Sequence, residues 1–300
     1  MSIKYSEHLK KITIPFLAGL DEDLRLHLLS ALKEIWTHHS TALEGNTLTL
    51  QETHFVISEG LTISGKPLKD HNEVVGHAKA IDLLIEMASK EHGYISVDDI
   101  FLLHKAVQTE PVFDIMKPIG GWKSEPNGRY AYNKEKRMVF HSYTEPGDVR
   151  LLMDEWIEAL NESIPQSDQV NSIELIDRYA FLHAGLTSIH PFFDGNGRMA
   201  RLLCNIPLLR AGLLPLVISS ENRVGYLKAL QEYSENTPVP DRTTGVWPAG
   251  DYAMDALKAC CQQEYAVTLD LMDQIQAEQK KRDLWRQERA ASSRSSDPSQ

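Results

Sequence analysis

The chain has 300 residues, a charged fraction of 24% and a formal net charge of −11 at pH 7. The negative balance argues against a nucleic-acid-binding protein, and the length predicts one or two domains. The first residues lack the apolar segment of a secretory leader, and no run of about 18 apolar residues follows. We therefore expect a cytoplasmic protein without membrane contact. The three cysteines, at positions 204, 260 and 261, offer no disulfide framework.

Most of the chain, taken in order, shows sequence patterns typical of helices. Acidic residues at positions 21–23 precede leucines at steps of three and four, which predicts a helix that runs to about Glu44. The glycine at position 45 is typical of a helix stop. Apolar periodicity predicts further helices over residues 74–87, 96–107, 147–161, 173–186, 201–209, 221–235 and 252–286.

Residues 118–143 do not show the helical period. Paired glycines and alternating aromatic residues surround a charged turn at residues 133–136, a pattern that predicts a β-hairpin over about residues 121–143. The serine-rich residues 287–300 predict a disordered tail. The expected fold class is therefore all-α with one small β-hairpin.

The densest group of reactive side chains lies in residues 190–201, with the sequence HPFFDGNGRMAR. Its glycines occupy a loop that opens a helix, where free backbone N–H groups and the helix dipole favour an anion such as phosphate. Gly195 and Gly197 allow the backbone to approach a phosphate closely, and the side-chain amide of Asn196 can donate to a phosphate oxygen.

The remaining polar residues of this segment supply complementary chemistry. A neutral His190 can take a proton from a hydroxyl group. Asp194 suits one Mg²⁺ ion that is held mainly by phosphates and water. Arg198 and Arg201, three residues apart on the following helix, can bind different phosphates of a polyphosphate. Together these groups indicate nucleotidyl or phosphoryl transfer to a hydroxyl.

This segment resembles the Fic-domain signature, His-Pro-Phe-x-(Asp/Glu)-Gly-Asn-Gly-Arg-x-x-Arg, at every specified position, and the resemblance extends over about residues 40–226. It implies a helical fold and the transfer of AMP from ATP to a Ser, Thr or Tyr hydroxyl of a target protein. It implies that His190 is the general base and that Asp194 binds Mg²⁺. The ATP phosphates would contact Gly195, Asn196, Gly197, Arg198 and Arg201.

A second segment, residues 40–46 with the sequence STALEGN, is similar to the inhibitory motif of that family, (Ser/Thr)-x-x-x-Glu-(Gly/Asn). Ser40 and Glu44 are four residues apart and are expected on one helix face. A glutamate in the last helical turn opposes the helix dipole, so a cationic partner would explain it. The resemblance implies that this partner is Arg201 and that the pair keeps ATP from binding productively.

The hairpin corresponds, by the same resemblance, to a flap that docks the target by strand addition. The expected docking residues are Trp122, Lys123, Tyr130 and Tyr132, and the basic turn around Lys136 would favour an acidic target. A structural hairpin without this role is the alternative. Residues 221–226, with the sequence ENRVGY, match a family helix beside the adenine, and this match implies that Tyr226 contacts ATP. A core position for Tyr226 is the alternative.

The resemblance divides the chain into an N-terminal helical region at residues 1–60, a Fic catalytic core at 61–235, C-terminal helices at 236–286 and the tail. The expected activity is an autoinhibited protein adenylyltransferase. A hydrolase that removes AMP from a modified target and a nucleotide-sensing module with negligible turnover are alternatives, and transfer of phosphate or phosphocholine stays open. The target protein is not identified, and a homodimer remains open.

Overall fold

The computed structural model describes residues 14–90, 93–109, 117–132, 137–165, 171–247 and 254–295. These residues form a helical protein with one two-stranded antiparallel sheet, so the predicted fold class is confirmed. Within these ranges, none of the helices combines the length and the apolar character that crossing a membrane requires.

The helices and strands follow one another in the order α1–α4, β1–β2, α5–α11. Their bounds are α1 Glu22–Ala42, α2 Leu50–His54, α3 Leu68–Ala88, α4 Val97–Val107, β1 Gly128–Tyr132, β2 Met138–Ser142, α5 Pro146–Glu162, α6 Ser172–Ile189, α7 Asn196–Leu203, α8 Ile206–Arg210, α9 Arg223–Asn236, α10 Asp255–Glu264 and α11 Ala266–Ser295.

Helix α6 lies at the centre of the fold and packs against α5, α7, α8 and α10. Its neighbour α5 contributes Trp156, which is fully buried and donates its indole N–H to the carbonyl of Leu182 at 2.8 Å. Helix α1 packs on α3 and on α7, with Trp36 in the interface region of the core. This packing places the end of α1 beside the start of α7, far apart in sequence.

One hydrophobic core includes Leu28, Leu203 and Leu257, which belong to three of the predicted segments. The division of the chain into an N-terminal region, a catalytic core and C-terminal helices stays a prediction. Helix α11 continues to Ser295, so residues 287–295 of the expected tail are helical, and its last five residues lie outside the described ranges. Alanine, glutamate, glutamine and arginine in residues 287–291 favour a helix, and they outweigh the serines that follow.

Three local differences separate the expected helices from the observed ones. Helix α1 ends at Ala42, so Glu44 lies in the turn after the helix, where its N–H bonds to the carbonyl of Thr41 at 3.0 Å. The short α2 was not expected, although Thr49 and Glu52 form a capping box at its start. The expected helix over residues 201–209 is two helices, and Pro207 in the first turn of α8 has no N–H to continue α7.

The hairpin pairs β1 with β2 in antiparallel register, with Tyr130 opposite Phe140. Their rings lie 5.2 Å apart between centroids, and both side chains are exposed on the outer surface. The basic turn at residues 133–136 lies outside the described residues. Its expected preference for an acidic target stays a prediction.

Candidate active site

His190 is the C-cap of α6 and has a left-handed backbone with φ of 54°. Its ring stacks on Tyr143, with 3.7 Å between centroids and 4° between planes. Nδ1 lies 3.3 Å from the carbonyl oxygen of Thr187. Because a carbonyl only accepts, Nδ1 carries the proton and Nε2 is left with a lone pair. Burial, with the positive charge of Lys123, lowers the pKa of His190 to about 4, so the ring is neutral at pH 7.

The motif loop, residues 190–195, connects α6 to α7. Gly195 is the N-cap of α7 and has φ of +81°, a conformation that glycine adopts without strain. The Asn196 side chain is buried, accepts the N–H of Phe192 at 2.9 Å and donates to the carbonyl of Phe192 at 2.8 Å. The amide of Asn196 therefore holds the loop, and its expected contact with a phosphate stays a prediction.

Arg201 lies on α7 with its side chain only 3% exposed. Its Nε donates to Ser40 Oγ at 3.0 Å, and Nη2 donates to the backbone carbonyl of Ser40 at 2.8 Å. The same Nη2 lies 2.7 Å from Glu44 Oε1, which makes a charge-assisted hydrogen bond across 157 positions of the sequence. The two residues of the inhibitory motif thus both contact Arg201.

The carboxylate of Glu44 lies against the first turn of α7. A methyl group built on Gly197 would be 2.5 Å from Glu44 Oε1 and 3.0 Å from Arg201 Nη1. A carboxylate at this helix N-terminus occupies a position that suits an anion. Burial acts to raise the pKa of Glu44, but the charge and the hydrogen bond of Arg201, together with the charge of Arg198, hold this pKa below its ordinary value. Glu44 is therefore ionised at neutral pH.

Arg198 and Asp194 form a second charged pair at the loop, with 3.4 Å between Nη2 and Oδ2. Arg198 is nearly buried and also donates to the carbonyl of Val107 at 3.3 Å, whereas the carboxylate of Asp194 is 57% exposed. In the part of the chain that the structure describes, His, Cys, Asp and Glu nowhere group in threes to hold a metal. One exposed carboxylate beside an anion site fits Mg²⁺ that is bound largely through phosphates.

The residues that line a cavity of about 310 Å³ include His190, Tyr143, Gly197, Arg201 and Glu44. Apolar and small polar side chains complete the wall: Leu227, Leu230, Tyr233, Thr237, Pro238, Val239 and Pro240. Arg129 and Arg223 line it as well, so the pocket combines a neutral base, three arginines and apolar side chains, a composition expected for a small-molecule site.

Tyr226 borders this cavity but is only 3% exposed. Its hydroxyl lies 3.4 Å from Arg201 Nη1 and 2.9 Å from His183 Nε2. Burial lowers the pKa of His183 to about 3 and raises that of Tyr226 to about 12, so both are neutral. The contact with Arg201 was not expected from the sequence, and an adenine contact by Tyr226 stays a prediction.

The four expected docking residues lie in different surroundings. Lys123 is 3% exposed, and Trp122 packs against Phe192 of the motif loop with 5.3 Å between ring centroids. Both residues lie against the motif loop, and their expected role in docking a target stays a prediction. Tyr130 is 72% exposed on β1 and is accessible to a partner. Tyr132 belongs to the same strand, and its docking role stays a prediction.

His104 on α4 is a buried residue that sequence reasoning missed. Its ring stacks on Phe192 at 3.9 Å between centroids. Nδ1 accepts the N–H of Gly120 at 2.8 Å, so Nε2 carries the proton and donates to the carbonyl of Asp194 at 3.0 Å. Burial lowers its pKa to about 4, which keeps this tautomer neutral. A lone histidine on an apolar helix face carries no sequence signal for this role.

Residues 94–208 match the Fic/DOC family. The protein adenylyltransferase fic-1 of Caenorhabditis elegans is 33% identical over 199 residues, which cover 65% of this chain and 35% of that protein. The protein adenylyltransferase Fic of Drosophila mojavensis is 34% identical over 198 residues, or 66% of this chain and 36% of that protein. The chain therefore spans about a third of the length of these curated relatives.

Two solved structures agree with this assignment. A Fic-domain-containing signaling protein from Bacteroides thetaiotaomicron has the same fold, with a TM-score of 0.70, 24% identity and coverage of 90% of this chain and 96% of that chain. Fic-1 from C. elegans has a TM-score of 0.55 at 26% identity and covers 89% and 70% of the two chains. The chain contains a Fic/DOC family domain.

Proposed function

We propose that this chain is a protein adenylyltransferase, which moves AMP from ATP to a Ser, Thr or Tyr hydroxyl of a target protein. The observation that carries the proposal is that His190, whose Nε2 has a free lone pair, lines the same cavity as Gly197 and Arg201. The adenylyltransferase names of the relatives favour AMP transfer over AMP removal and over a binding module without turnover. They also favour AMP over phosphate or phosphocholine as the transferred group.

The proposed chemistry begins with the target hydroxyl next to His190. Nε2 accepts the hydroxyl proton while the hydroxyl oxygen forms a bond to the α-phosphorus of ATP. The bond from this phosphorus to the bridging oxygen breaks, and pyrophosphate leaves. A neutral base is needed at this step, and the low pKa of His190 supplies it at any pH well above about 4.

The first turn of α7 and its arginines hold the phosphates in this proposal. Backbone N–H groups of Asn196 and Gly197 point from the helix N-terminus, and Arg198 and Arg201 supply two guanidinium groups. Asp194 would hold Mg²⁺, which supplies charge neutralisation on the phosphates when it is bound. The exposed hairpin with Tyr130 would receive the target segment.

We infer that Glu44 inhibits this activity in the state described here. Its carboxylate occupies the anion position beside Gly197 and takes the Nη2 donor of Arg201, so a phosphate of ATP and Glu44 compete for the same contacts. The inhibition would act within one chain, because Ser40 and Glu44 lie N-terminal to Arg201 in the same chain and contact it. The Mg²⁺ requirement, the inhibition and a cytoplasmic location are parts of the proposal.

Intact-protein mass spectrometry tests the proposal. Wild type, Glu44→Gly and Glu44→Gly/His190→Ala would each be incubated with ATP and Mg²⁺, and pyrophosphate would be assayed in the same samples. We expect one or more added AMP groups and pyrophosphate with Glu44→Gly, less with wild type and none with the double variant. Release of phosphate, or added phosphate instead of AMP, would reject adenylyl transfer.

A further inference from the structure

The segment that leads into the hairpin, residues 120–127, holds the motif loop on both sides of His190. The backbone N–H of Lys123 donates to the carbonyl of Pro191 at 2.8 Å. The Lys123 ammonium donates to the carbonyl of Ile189 at 3.4 Å. Lys123 therefore donates hydrogen bonds to the carbonyl of the residue before His190 and to the carbonyl of the residue after it.

Asn127 adds two hydrogen bonds to these contacts. Its side-chain Oδ1 accepts a hydrogen bond from Lys123 Nζ at 2.7 Å, and its Nδ2 donates to the carbonyl of Phe192 at 3.0 Å. A single amide thus orients the ammonium group and binds the next carbonyl of the loop. The two residues together bind three backbone carbonyls around the base, those of Ile189, Pro191 and Phe192.

His190 needs such support because of its backbone. Among the residues that the structure describes, it is the one non-glycine residue with positive φ, at 54°. A side chain with a Cβ is strained in the left-handed region and stays there only when surrounding contacts hold it. The hydrogen bonds from Lys123 fix the peptide groups on either side of this strained residue. They therefore define where the imidazole points.

Lys123 is an unusual choice for a packing role alone. Its side chain is 3% exposed, and within the described residues its hydrogen-bond partners are the neutral oxygens of Asn127 and Ile189. Burial of a cation whose hydrogen-bond partners are neutral is costly, although the charge of Glu145 favours the ammonium, and a methionine would fill a similar volume without that cost. Burial lowers the pKa of Lys123 to about 8, a value at which most of the ammonium is still charged at pH 7.

The charge of Lys123 also acts on the imidazole. Lys123 disfavours a proton on His190, whereas the carboxylates of Asp194 and Glu44 favour it from other elements, and Tyr143 covers one ring face without a charge. When Glu44 leaves the site, one of the two opposing carboxylates leaves with it. The ammonium then has the larger relative effect on the base.

We propose that Lys123, oriented by Asn127, is a positioning residue for His190: it fixes the backbone on both sides of the base and brings its positive charge beside the imidazole. The inference rests on the proposed function, because it assigns His190 as the base. It places the hairpin and the base in one connected unit, since the lysine that supports His190 lies five residues before β1.

The test uses the full chain in the Glu44→Gly background, with Lys123→Met, Lys123→Arg and, as the matched control, Lys79→Met at an exposed position of α3. Steady-state AMP transfer would be measured as a function of ATP concentration and pH. We expect Lys123→Met to lower kcat about 10- to 100-fold with KM for ATP changed less than about 2-fold. The acid limb of its pH profile should move to higher pH. Lys123→Arg should recover part of kcat, and Lys79→Met should match the parent.

A second readout does not depend on activity. Nitrogen-15 NMR titration of His190 in the metal-free and ATP-free protein should give a higher His190 pKa in Lys123→Met than in the parent. If the parent fails to transfer AMP, the proposed function fails, and this titration still decides the inference. An unchanged kcat in Lys123→Met, or a lower kcat with an unchanged His190 pKa, would overturn the positioning role.

Asn127→Ala covers the case in which Lys123→Met does not fold. This variant keeps the lysine but removes its 2.7 Å acceptor and the donor to Phe192. We expect a smaller loss of kcat in the same direction, again with little change in KM for ATP. A folded Asn127→Ala protein with the kcat and the His190 titration of its parent would overturn the inference.

Discussion

The motif loop and the inhibitory motif meet at the same helix N-terminus but are held in opposite ways. The motif loop is fixed by buried neutral contacts, among them those of Asn196 with Phe192 and of His104 with Asp194. The inhibitory motif reaches the site through Ser40 and through the Glu44 carboxylate, which is 41% exposed. In the proposed function, the geometry needed in every turnover is thus built into the core. The contact that has to be released is a partly exposed ion pair at the end of a helix.

The largest effect should come from the base. In the Glu44→Gly background, His190→Ala should reduce the rate of AMP transfer about 10²- to 10⁴-fold, because general-base catalysis contributes about that much. ATP binding, measured by calorimetry, should be retained, since the arginines and the helix N-terminus are unchanged. Transfer at the parental rate by a folded His190→Ala variant would show that this loop does not supply the base.

Release of Glu44 should have the next largest effect. Glu44→Gly should raise transfer about 10- to 100-fold, because a charge-assisted hydrogen bond to Arg201 contributes about 1.5–3 kcal/mol. Glu44→Gln is the matched control. It keeps the size of the side chain but loses the charge, so it should give an intermediate rate in the same radiolabelled ATP assay. Equal rates for wild type and Glu44→Gly would show that the contact between Glu44 and Arg201 does not inhibit transfer.

Asn196→Ala tests the fixed side of the comparison. The variant loses two buried hydrogen bonds and leaves the N–H and carbonyl of Phe192 unpaired, which should lower the free energy of unfolding by about 1–3 kcal/mol. Differential scanning calorimetry should therefore show a lower Tm. If the side chain served only to bind phosphate, Tm would stay at the wild-type value and only the KM for ATP would rise.

Ser40→Ala should have a smaller effect on the releasable side. It removes the Oγ acceptor of Arg201 Nε but leaves the Ser40 carbonyl and Glu44 in place. A net hydrogen bond contributes about 1 kcal/mol, so transfer should rise about 2- to 5-fold. A rate as high as that of Glu44→Gly would assign the inhibition to Ser40 instead of to the carboxylate.

The smallest effect should be that of pH near neutrality. The folded-state pKa of Glu44 is lowered, so the ion pair is fully present above the ordinary carboxyl pKa and is lost only as the pH falls through the lowered value. His190 is neutral over the same range. The ratio of transfer rates between Glu44→Gly and wild type should therefore stay constant from about pH 6 to about pH 8. A ratio that falls across this range would indicate a different titrating group in the inhibitory contact.

Local pattern was enough for most of the helices, for the hairpin and for the segment that bears the reactive groups, although the short α2 was missed. Residues such as His190 and Asp194 could be selected as candidate site residues because they lie in a loop before a helix, where free backbone N–H groups favour an anion. The functions of Lys123, Asn127 and His104 could not be predicted in this way. Each acts through a carbonyl of the motif loop about 60 to 90 positions away, and a backbone carbonyl leaves no trace in the sequence.

The amino-acid sequence by itself determined where the motif loop and His190 lie, because residue types at short spacing define them. The pairing of Glu44 with Arg201, which are 157 positions apart, was expected from the family resemblance. Only the tertiary structure decided that Asn196 holds the loop, that Lys123 is buried beside the base and that Glu44 lies against Gly197. The physical reason is that packing of α1 on α7, and of residues 120–127 on the motif loop, fixes distances between side chains that the chain itself leaves free.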